Sequence, residues 1–161
     1  EAKLDDERGF DHGVFVPLKI MYPEANIPCM QLSLLNSLSS ESHIKIGRAL
    51  SKLRRENVLI IGSGFSFHNM KALMSGSSNE DHKNEQFEEW LIETCTNPGL
   101  SASERETRLI DWINAPFARY CHPREEHLLP LHICMGMCES PAKLAFEGFV
   151  AGKKTSAFLW Q

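Results

Sequence analysis

The sequence predicts an α/β fold with a mixed or largely parallel sheet flanked by helices. Three consecutive segments indicate this class: apolar residues 27–35, an amphipathic stretch after Ser39, and apolar residues 58–61. Each apolar segment reads as a buried strand, and the strand-helix-strand order is that of a βαβ unit. Ligands in open α/β sheets bind beyond the carboxyl ends of the strands, so the loop after residue 61 is the expected site.

The N-terminal region contains a candidate turn. Gly9 and Gly13 flank a short segment that ends in His12. Two glycines so placed predict a tight turn that presents this histidine. Residues 14–21 are apolar, with Pro17 near their start. They fit either a short helix with proline in its first turn or an extended segment.

The middle of the chain reads as a capped amphipathic helix followed by a strand. Residues 39–42, Ser-Ser-Glu-Ser, are typical of a helix start. His43 is therefore expected to be a surface or capping residue. Residues 58–61 form a continuous, β-branched-rich run, as in a strand buried on both faces. The predicted apolar helix face comprises Ile44, Ile46, Ala49, Leu50 and Leu53, and the face toward water comprises Lys45, Arg48, Lys52 and Arg55.

The second half of the chain predicts further helices and a terminal hairpin. In chain order these are a polar loop at 75–84 that includes His82, amphipathic helices at 85–96 and 103–113 separated by Asn97-Pro98-Gly99, a short helical turn from 115–116, and a hairpin within 146–160. No internal repeat or domain linker interrupts this order.

The composition restricts the class of protein. The 161 residues, 42% hydrophobic, suffice for one domain with a core. A formal net charge of -4 and the lack of a basic stripe make nucleic acid an unexpected partner. No run approaches the roughly 20 apolar residues that cross a bilayer, so no membrane is expected. Five cysteines without a CxxC pair predict a reduced, cytoplasmic protein.

The strongest chemical signal is the segment of residues 121–132. It holds three imidazoles, two carboxylates and one guanidinium among apolar residues. Imidazole and carboxylate are the ligands of iron and zinc at sites that also do chemistry. Together with His12 and His68, this segment indicates a metal-dependent enzyme.

His122 and His127 allow two interpretations. A spacing of five does not place them on one helix face. Pro123 is expected to open a helix. His122 would then lie just before the helix and His127 one turn inside it, so that the two rings converge. In the alternative, His122 caps the helix and His127 is a core histidine. The third imidazole, His132, is expected in the core.

The charged residues between these histidines also have two interpretations. Glu125 and Glu126 would occupy the first helical turn, where the helix dipole favours carboxylates. Glu126 or its neighbour could instead hydrogen-bond a histidine near a metal. Arg124 is a candidate for binding an anionic substrate, with exposure to solvent as the alternative.

His68 follows the second predicted strand and a Gly62-Ser63-Gly64 loop. An imidazole beyond the carboxyl end of a strand can act as an acid or base near neutral pH, and a structural histidine is the alternative. The loop lacks the pattern of a phosphate-binding fingerprint and of a GxSxG serine nucleophile.

Taken in order, several segments resemble the class III extradiol ring-cleavage dioxygenases of the LigB-like superfamily, and most closely the 4,5-DOPA extradiol dioxygenase branch. Each segment is short, but the ordered set is specific and spans nearly the whole chain. The matching pieces are residues 9–13, 16–18, 21–23, 27–28, 31–33, 47–50 and 61–64, His68-Asn69, His122-Pro123, Glu126-His127 and residues 129–131.

The resemblance implies a non-haem metal, Fe(II) for turnover with Zn(II) often found in its place, and a catechol opened with O2. It implies that His127 is a metal ligand and that His68 is a further ligand or the base that takes a catechol proton. His12 would support substrate and oxygen from outside the ligand set, and His122 would shape the pocket.

The family has a preceding N-terminal half that supplies two further metal histidines. The resemblance therefore implies that residues 1–161 form a single, incomplete LigB-like catalytic domain, its C-terminal part. A companion chain that carries the N-terminal half and the remaining histidines is the expected partner. The alternative is an inactive relative kept as a binding or structural subunit.

Overall fold

The structure is a computed structural model that describes residues 3–74 and 81–161, without the side chain of Asp81. The chain divides into two compact units, Glu1–Ser33 and Leu34–Gln161. The polar loop predicted at 75–84 falls largely outside the described residues. Its His82 lies in a helix instead and is exposed.

The N-terminal unit is built around one helix, α1 (His12–Met21). Of the two interpretations of residues 14–21, the helix is the one observed, with Pro17 inside it. His12 is the first residue of α1 rather than the apex of a glycine turn. Asp11 caps the helix, since its carbonyl oxygen accepts from the N–H groups of Val14 and Phe15, each at 3.0 Å.

The C-terminal unit holds the other elements. They are α2 (Ser40–Leu50), a 3-10 helix (Ser51–Arg55), α3 (Met70–Met74), α4 (Asp81–Thr96), α5 (Ala102–Ile110), a 3-10 helix (Trp112–Asn114), α6 (Ala118–Cys121), α7 (Leu129–Gly136), β1 (Lys143–Val150) and β2 (Lys153–Leu159). The helices predicted at 85–96 and 103–113, the short helical turn after 115–116 and the terminal hairpin are confirmed. So is the helix start at Ser39, whose side chain accepts from the Ser42 N–H.

The two predicted strands at 27–35 and 58–61 are wrong. Neither segment forms a strand, and apolar side chains stay exposed, with Met30 at 86% and Leu59 at 63%. A strand needs a neighbour to satisfy its backbone groups, and among the described residues only β1 and β2 pair. The protein is thus a mixed α/β fold of helices with a small antiparallel sheet, and its parallel sheet is not confirmed.

The hairpin β1–β2 turns at Ala151-Gly152. Both residues have positive φ, 50° and 76°. Two such residues between paired strands are the mark of a type I′ turn, whose twist matches that of the strands. The register places Val150 opposite Lys153 and Glu147 opposite Ser156.

Helices α2 and α7 pack with their backbones in close approach. A Cβ added at Gly47 would lie 2.1 Å from the carbonyl oxygen of Ile133, and one at Gly136 would lie 2.3 Å from that of Ile44. Only glycine permits such an approach. The buried core of this unit includes Ile44, Phe67, Phe87, Leu91, Leu109, Trp112, Leu128 and Met135.

Two histidines belong to the packing of this unit. His43 is buried rather than on the surface. Its Nδ1 donates to the Ser39 carbonyl at 2.7 Å, and its Nε2 accepts from the Leu35 N–H at 3.1 Å. The core position predicted for His132 is confirmed, and burial lowers the pKa of its ring.

All five cysteines are free thiols.

Within the part of the chain that the structure describes, no helix combines the length and the apolar character that crossing a bilayer requires.

A stacked histidine pair as candidate active site

His68 and His127 lie face to face. Their ring centroids are 3.3 Å apart and their planes differ by 11°. Both side chains are partly exposed. The resemblance described above implies that these two imidazoles, from distant stretches of the chain, lie near each other, and their stacking makes this pair the candidate site.

The segment of residues 62–68 reaches the pair because its backbone lies directly against the turn that carries His127. The Phe65 N–H donates to the His127 carbonyl at 3.1 Å, and the His68 N–H donates to the Cys121 carbonyl at 2.9 Å. A Cβ at Gly64 would lie 2.3 Å from the His127 carbonyl oxygen. The glycine of this loop thus serves close backbone packing rather than phosphate binding.

His122 lies buried behind this segment. Its Nε2 donates to the carbonyl oxygen of Ser66 at 2.7 Å, and its ring packs against Phe87 and Trp112. The pKa of the ring is lowered to about 4, chiefly by burial and to a smaller extent by the neighbouring imidazoles, against the raising effect of the Ser66 bond. His122 is therefore a neutral imidazole at neutral pH, with its proton on Nε2.

The helix expected to start at Pro123 starts six residues later. Helix α7 begins at Leu129 with Pro130 in its first turn, and His127 lies in the turn before it. Both prolines suit a helix start, but the residues after Pro123 form bends and a turn that the Glu125 carbonyl closes. The Glu125 carbonyl accepts from the Leu128 and Leu129 N–H groups, at 2.8 and 3.1 Å.

The carboxylates of this turn are therefore not in a first helical turn, and each has a basic partner. Glu125 pairs with Arg119 at 2.5 Å, which lowers the pKa of its carboxyl. The exposed Arg124 places its Nε 2.9 Å from Oε2 of Glu126, close enough for an ion pair. Oε2 makes no hydrogen bond within the described residues. Roles of Arg124 and Glu126 toward a substrate stay predictions.

His12 lies in the N-terminal unit, and its side chain is exposed at the start of α1. Its predicted role in supporting substrate and oxygen stays a prediction.

One residue near the site is not singled out by the sequence pattern. Glu88 of α4 is fully buried, and its Oε2 accepts from the Ser156 hydroxyl at 2.6 Å. Burial raises the pKa of this carboxyl to about 7, partly opposed by the hydroxyls of Ser156 and Ser66 and by Lys154. The signal available in the sequence is a glutamate between Phe87 and Leu91, on the apolar face of its helix.

The donors of the stacked pair suit a transition metal, but they do not complete a site. Imidazole nitrogen binds iron and zinc. Residues 3–74 and 81–161 contain no group of three or more His, Cys, Asp or Glu side chains placed to hold a metal ion. Catalytic sites usually use three protein ligands. Two ligands of one ion also aim their nitrogens at a common point, whereas these rings are parallel.

The comparisons with known proteins point to one family. A family model described as "Catalytic LigB subunit of aromatic ring-opening dioxygenase" matches residues 1–155. The chain is 39% identical over 156 residues to "Dioxygenase tasH" of Hapsidospora irregularis, covering 89% of this chain and 47% of that protein. It is 39% identical over 143 residues to "4,5-DOPA dioxygenase extradiol" of Beta vulgaris, covering 88% and 51%.

A solved structure agrees with the fold. The crystal structure of uncharacterized protein JW3007 from Escherichia coli K12 matches with a TM-score of 0.78 and 30% identity, covering 92% of this chain and 61% of that chain. This chain spans about half the length of the curated relatives it matches.

Proposed function

The chain belongs to the family of the catalytic LigB subunit of aromatic ring-opening dioxygenases, and on that premise we propose that it is the C-terminal part of a non-haem, metal-dependent extradiol dioxygenase. The enzyme opens the ring of a catechol, such as DOPA, with O2. The observation that carries the proposal is the stacked pair, in which the two histidines assigned to the metal centre by resemblance lie together.

The proposal gives the two rings different roles. His127 is a metal ligand. His68 takes the proton of a catechol hydroxyl on a ring nitrogen, as a general base. The parallel rings favour this division over two ligands on one ion. When bound, Fe(II) or Zn(II) would act as a Lewis acid that lowers the pKa of a coordinated hydroxyl.

The other imidazoles take supporting roles in the proposal. His122, neutral and fixed by the Ser66 carbonyl, forms a rigid wall behind the pair. His12 assists substrate and oxygen from outside the ligand set. Arg124, paired with Glu126, stands at the exposed edge of the His127 turn, where it could meet an anionic group of the substrate.

The remaining metal ligands come from the half of the enzyme that this chain does not cover, as a companion chain or as another part of the same polypeptide. This follows from the single ligand that the proposal assigns in this chain, His127, against the three protein ligands that catalysis usually needs. A second candidate, an inactive binding or structural subunit, is favoured by the same shortage of ligands. The two candidates differ in whether the native material holds metal.

Metal content and ring cleavage together test the proposal. The native protein, with whatever chain accompanies it, is analysed for iron and zinc and assayed for a yellow ring-opened product from DOPA. We expect near-stoichiometric metal, and His127→Ala to lose both metal and activity. His68→Ala should lose activity and keep most of the metal, because a base is not needed for binding the ion.

The matched control is His82→Ala, since His82 is an exposed histidine on α4. This variant should behave as the wild type in both assays. Metal-free native material without ring cleavage would overturn the proposal in favour of the inactive subunit. Loss of metal in His68→Ala as well would make both rings ligands.

A further inference from the structure

We propose that Glu88 is a positioning residue for the stacked pair, acting through Ser156 and Ser66 on the segment that carries His68. Three hydrogen-bonded links run in series from the buried carboxyl of α4 through Ser156 and Ser66 to His122, and a fourth hydrogen bond fixes the backbone of His68 two residues after Ser66. These contacts alone support the effect of Glu88 on the geometry of the stacked pair. The consequence of that effect for metal binding rests on the proposed function.

The first link joins α4 to β2. Asn84 and Glu88 are four residues apart and so lie on one helix face. The Asn84 amide bonds Lys154 in both directions, donating to its carbonyl at 2.9 Å and accepting from its N–H at 2.7 Å. Glu88 then accepts from the Ser156 hydroxyl at 2.6 Å. Two buried polar side chains thus fix β2 along the helix.

The second link joins β2 to the loop before His68. The Ser156 N–H donates to the Ser66 hydroxyl at 3.1 Å. Ser156 therefore contacts Glu88 with its side chain and Ser66 with its backbone. A shift of this strand residue moves both contacts together.

The third and fourth links reach the imidazoles. The Ser66 carbonyl accepts from His122 Nε2 at 2.7 Å, and two residues later the His68 N–H donates to the Cys121 carbonyl at 2.9 Å. Ser66 is thus held on its hydroxyl side by β2 and on its carbonyl side by His122. Its position limits where the backbone of His68 can lie.

The chemistry of Glu88 argues for a purpose beyond filling space. Burying a carboxyl is costly, and an apolar side chain would fill the same volume without that cost. The groups that face it lie on several elements: Ser156 and Lys154 of β2, Glu147 of β1, Ser66 of the loop, and the thiols of Cys95 and Cys121. Within the part of the chain that the structure describes, the hydrogen-bond donors that it meets and that lead to the site are the serine hydroxyls.

The test follows the histidine rings directly. The 161-residue chain is labelled with 15N-histidine, and the ring signals of His68, His122 and His127 are compared between variants by NMR. Glu88→Leu and Ser66→Ala should each displace these three signals, because each breaks the chain of contacts. His132, held by other carbonyls, serves as the internal reference and should not move.

Two further variants separate positioning from simple stabilisation. Glu88→Gln keeps an oxygen that accepts from Ser156 and should restore the wild-type signals. Glu89→Gln, the next residue on α4 and exposed, is the matched control and should leave all signals in place. Histidine signals unchanged in Ser66→Ala, or a Glu88→Leu variant that melts earlier with all signals unchanged, would overturn the proposal. If Glu88→Leu does not fold, Ser66→Ala decides.

A second readout uses Zn²⁺ alone. We expect Glu88→Leu and Ser66→Ala to weaken Zn²⁺ binding to the native protein about 10-fold, the usual effect of removing a group that orients a ligand, and Glu88→Gln to restore it. If the wild type binds no Zn²⁺, the metal assignment of the proposed function fails. The ring signals still decide the role of Glu88.

Discussion

Gly47 and Ile133 are in contact through their backbones, and a single Cβ at position 47 would lie 2.1 Å from the Ile133 carbonyl oxygen. The contacted atom is a backbone oxygen, which cannot move aside as the end of a flexible side chain could. The contact between α2 and α7 therefore depends on the absence of a side chain, and this gives the first prediction.

Gly47→Ala should lower the free energy of unfolding by about 3 kcal/mol, at the upper end of overpacking effects, because α2 and α7 must separate to admit the methyl group. Urea unfolding followed by circular dichroism measures it. Gly9→Ala is the matched control, since a Cβ there meets no atom within 4 Å. Equal stability of the two variants would contradict the close approach.

The capping box of α5 gives a second prediction. The Ser101 hydroxyl accepts from the Glu104 N–H, and the Glu104 carboxylate accepts from the Ser101 N–H. Ser101→Ala should therefore cost about 1 kcal/mol of unfolding free energy. Ser103→Ala, two residues further on and exposed, should change stability much less. Thermal melts of the two variants and the wild type measure the two losses of stability.

The hairpin turn gives a third prediction, of opposite sign. Ala151 has φ of 50°, a conformation that costs a non-glycine residue about 1 kcal/mol or more. Ala151→Gly should raise the melting temperature by relieving this strain. Ala157→Gly, within β2, should lower it because glycine weakens a strand. A fall in both variants would argue against the left-handed turn.

Glu88 gives a prediction about pH. Its pKa is raised from 4.5 to about 7 in the folded protein, chiefly by burial. Between these values the unfolded chain has released the proton and the folded chain still holds it, so stability falls as pH rises through this window. The stability of the wild type minus that of Glu88→Gln should fall by about 3 kcal/mol from pH 4.5 to pH 7.

The difference between wild type and variant isolates Glu88 from other groups. His122, with its lowered pKa, contributes in the opposite direction, because its stabilisation is lost as pH falls. Glu89→Gln should show no comparable change, since Glu89 is exposed. A wild-type-minus-Glu88→Gln difference that is flat with pH would mean that the carboxyl is not desolvated.

Features set by neighbouring residues could be predicted from the sequence. The helix start at Ser39 depends on side chains within a few positions and occurs where the pattern indicates. The terminal hairpin, expected within 146–160, is also observed, as the strands Lys143–Val150 and Lys153–Leu159. The pairing of His68 with His127 could also be predicted, although by resemblance to a family rather than from spacing.

Features set by distant partners could not. Residues 58–61 have the composition of a strand, but a strand exists only with a neighbour, and composition does not show whether one is present. Pro123 and Pro130 suit a helix start equally well, so local preference could not choose between them. Glu88 is visible on its helix, whereas Ser156, which explains its burial, is 68 positions away.

The apolar side chains of Val58, Leu59 and Ile61, exposed outside any strand, affect how the chain behaves in concentrated solution. Such an exposed run can associate with the same run of another molecule as readily as with a partner that would cover it. The fraction of protein that remains unaggregated therefore depends on whether a partner covers this run before a second copy binds to it. Low protein concentration and co-expression with such a partner should favour the partner.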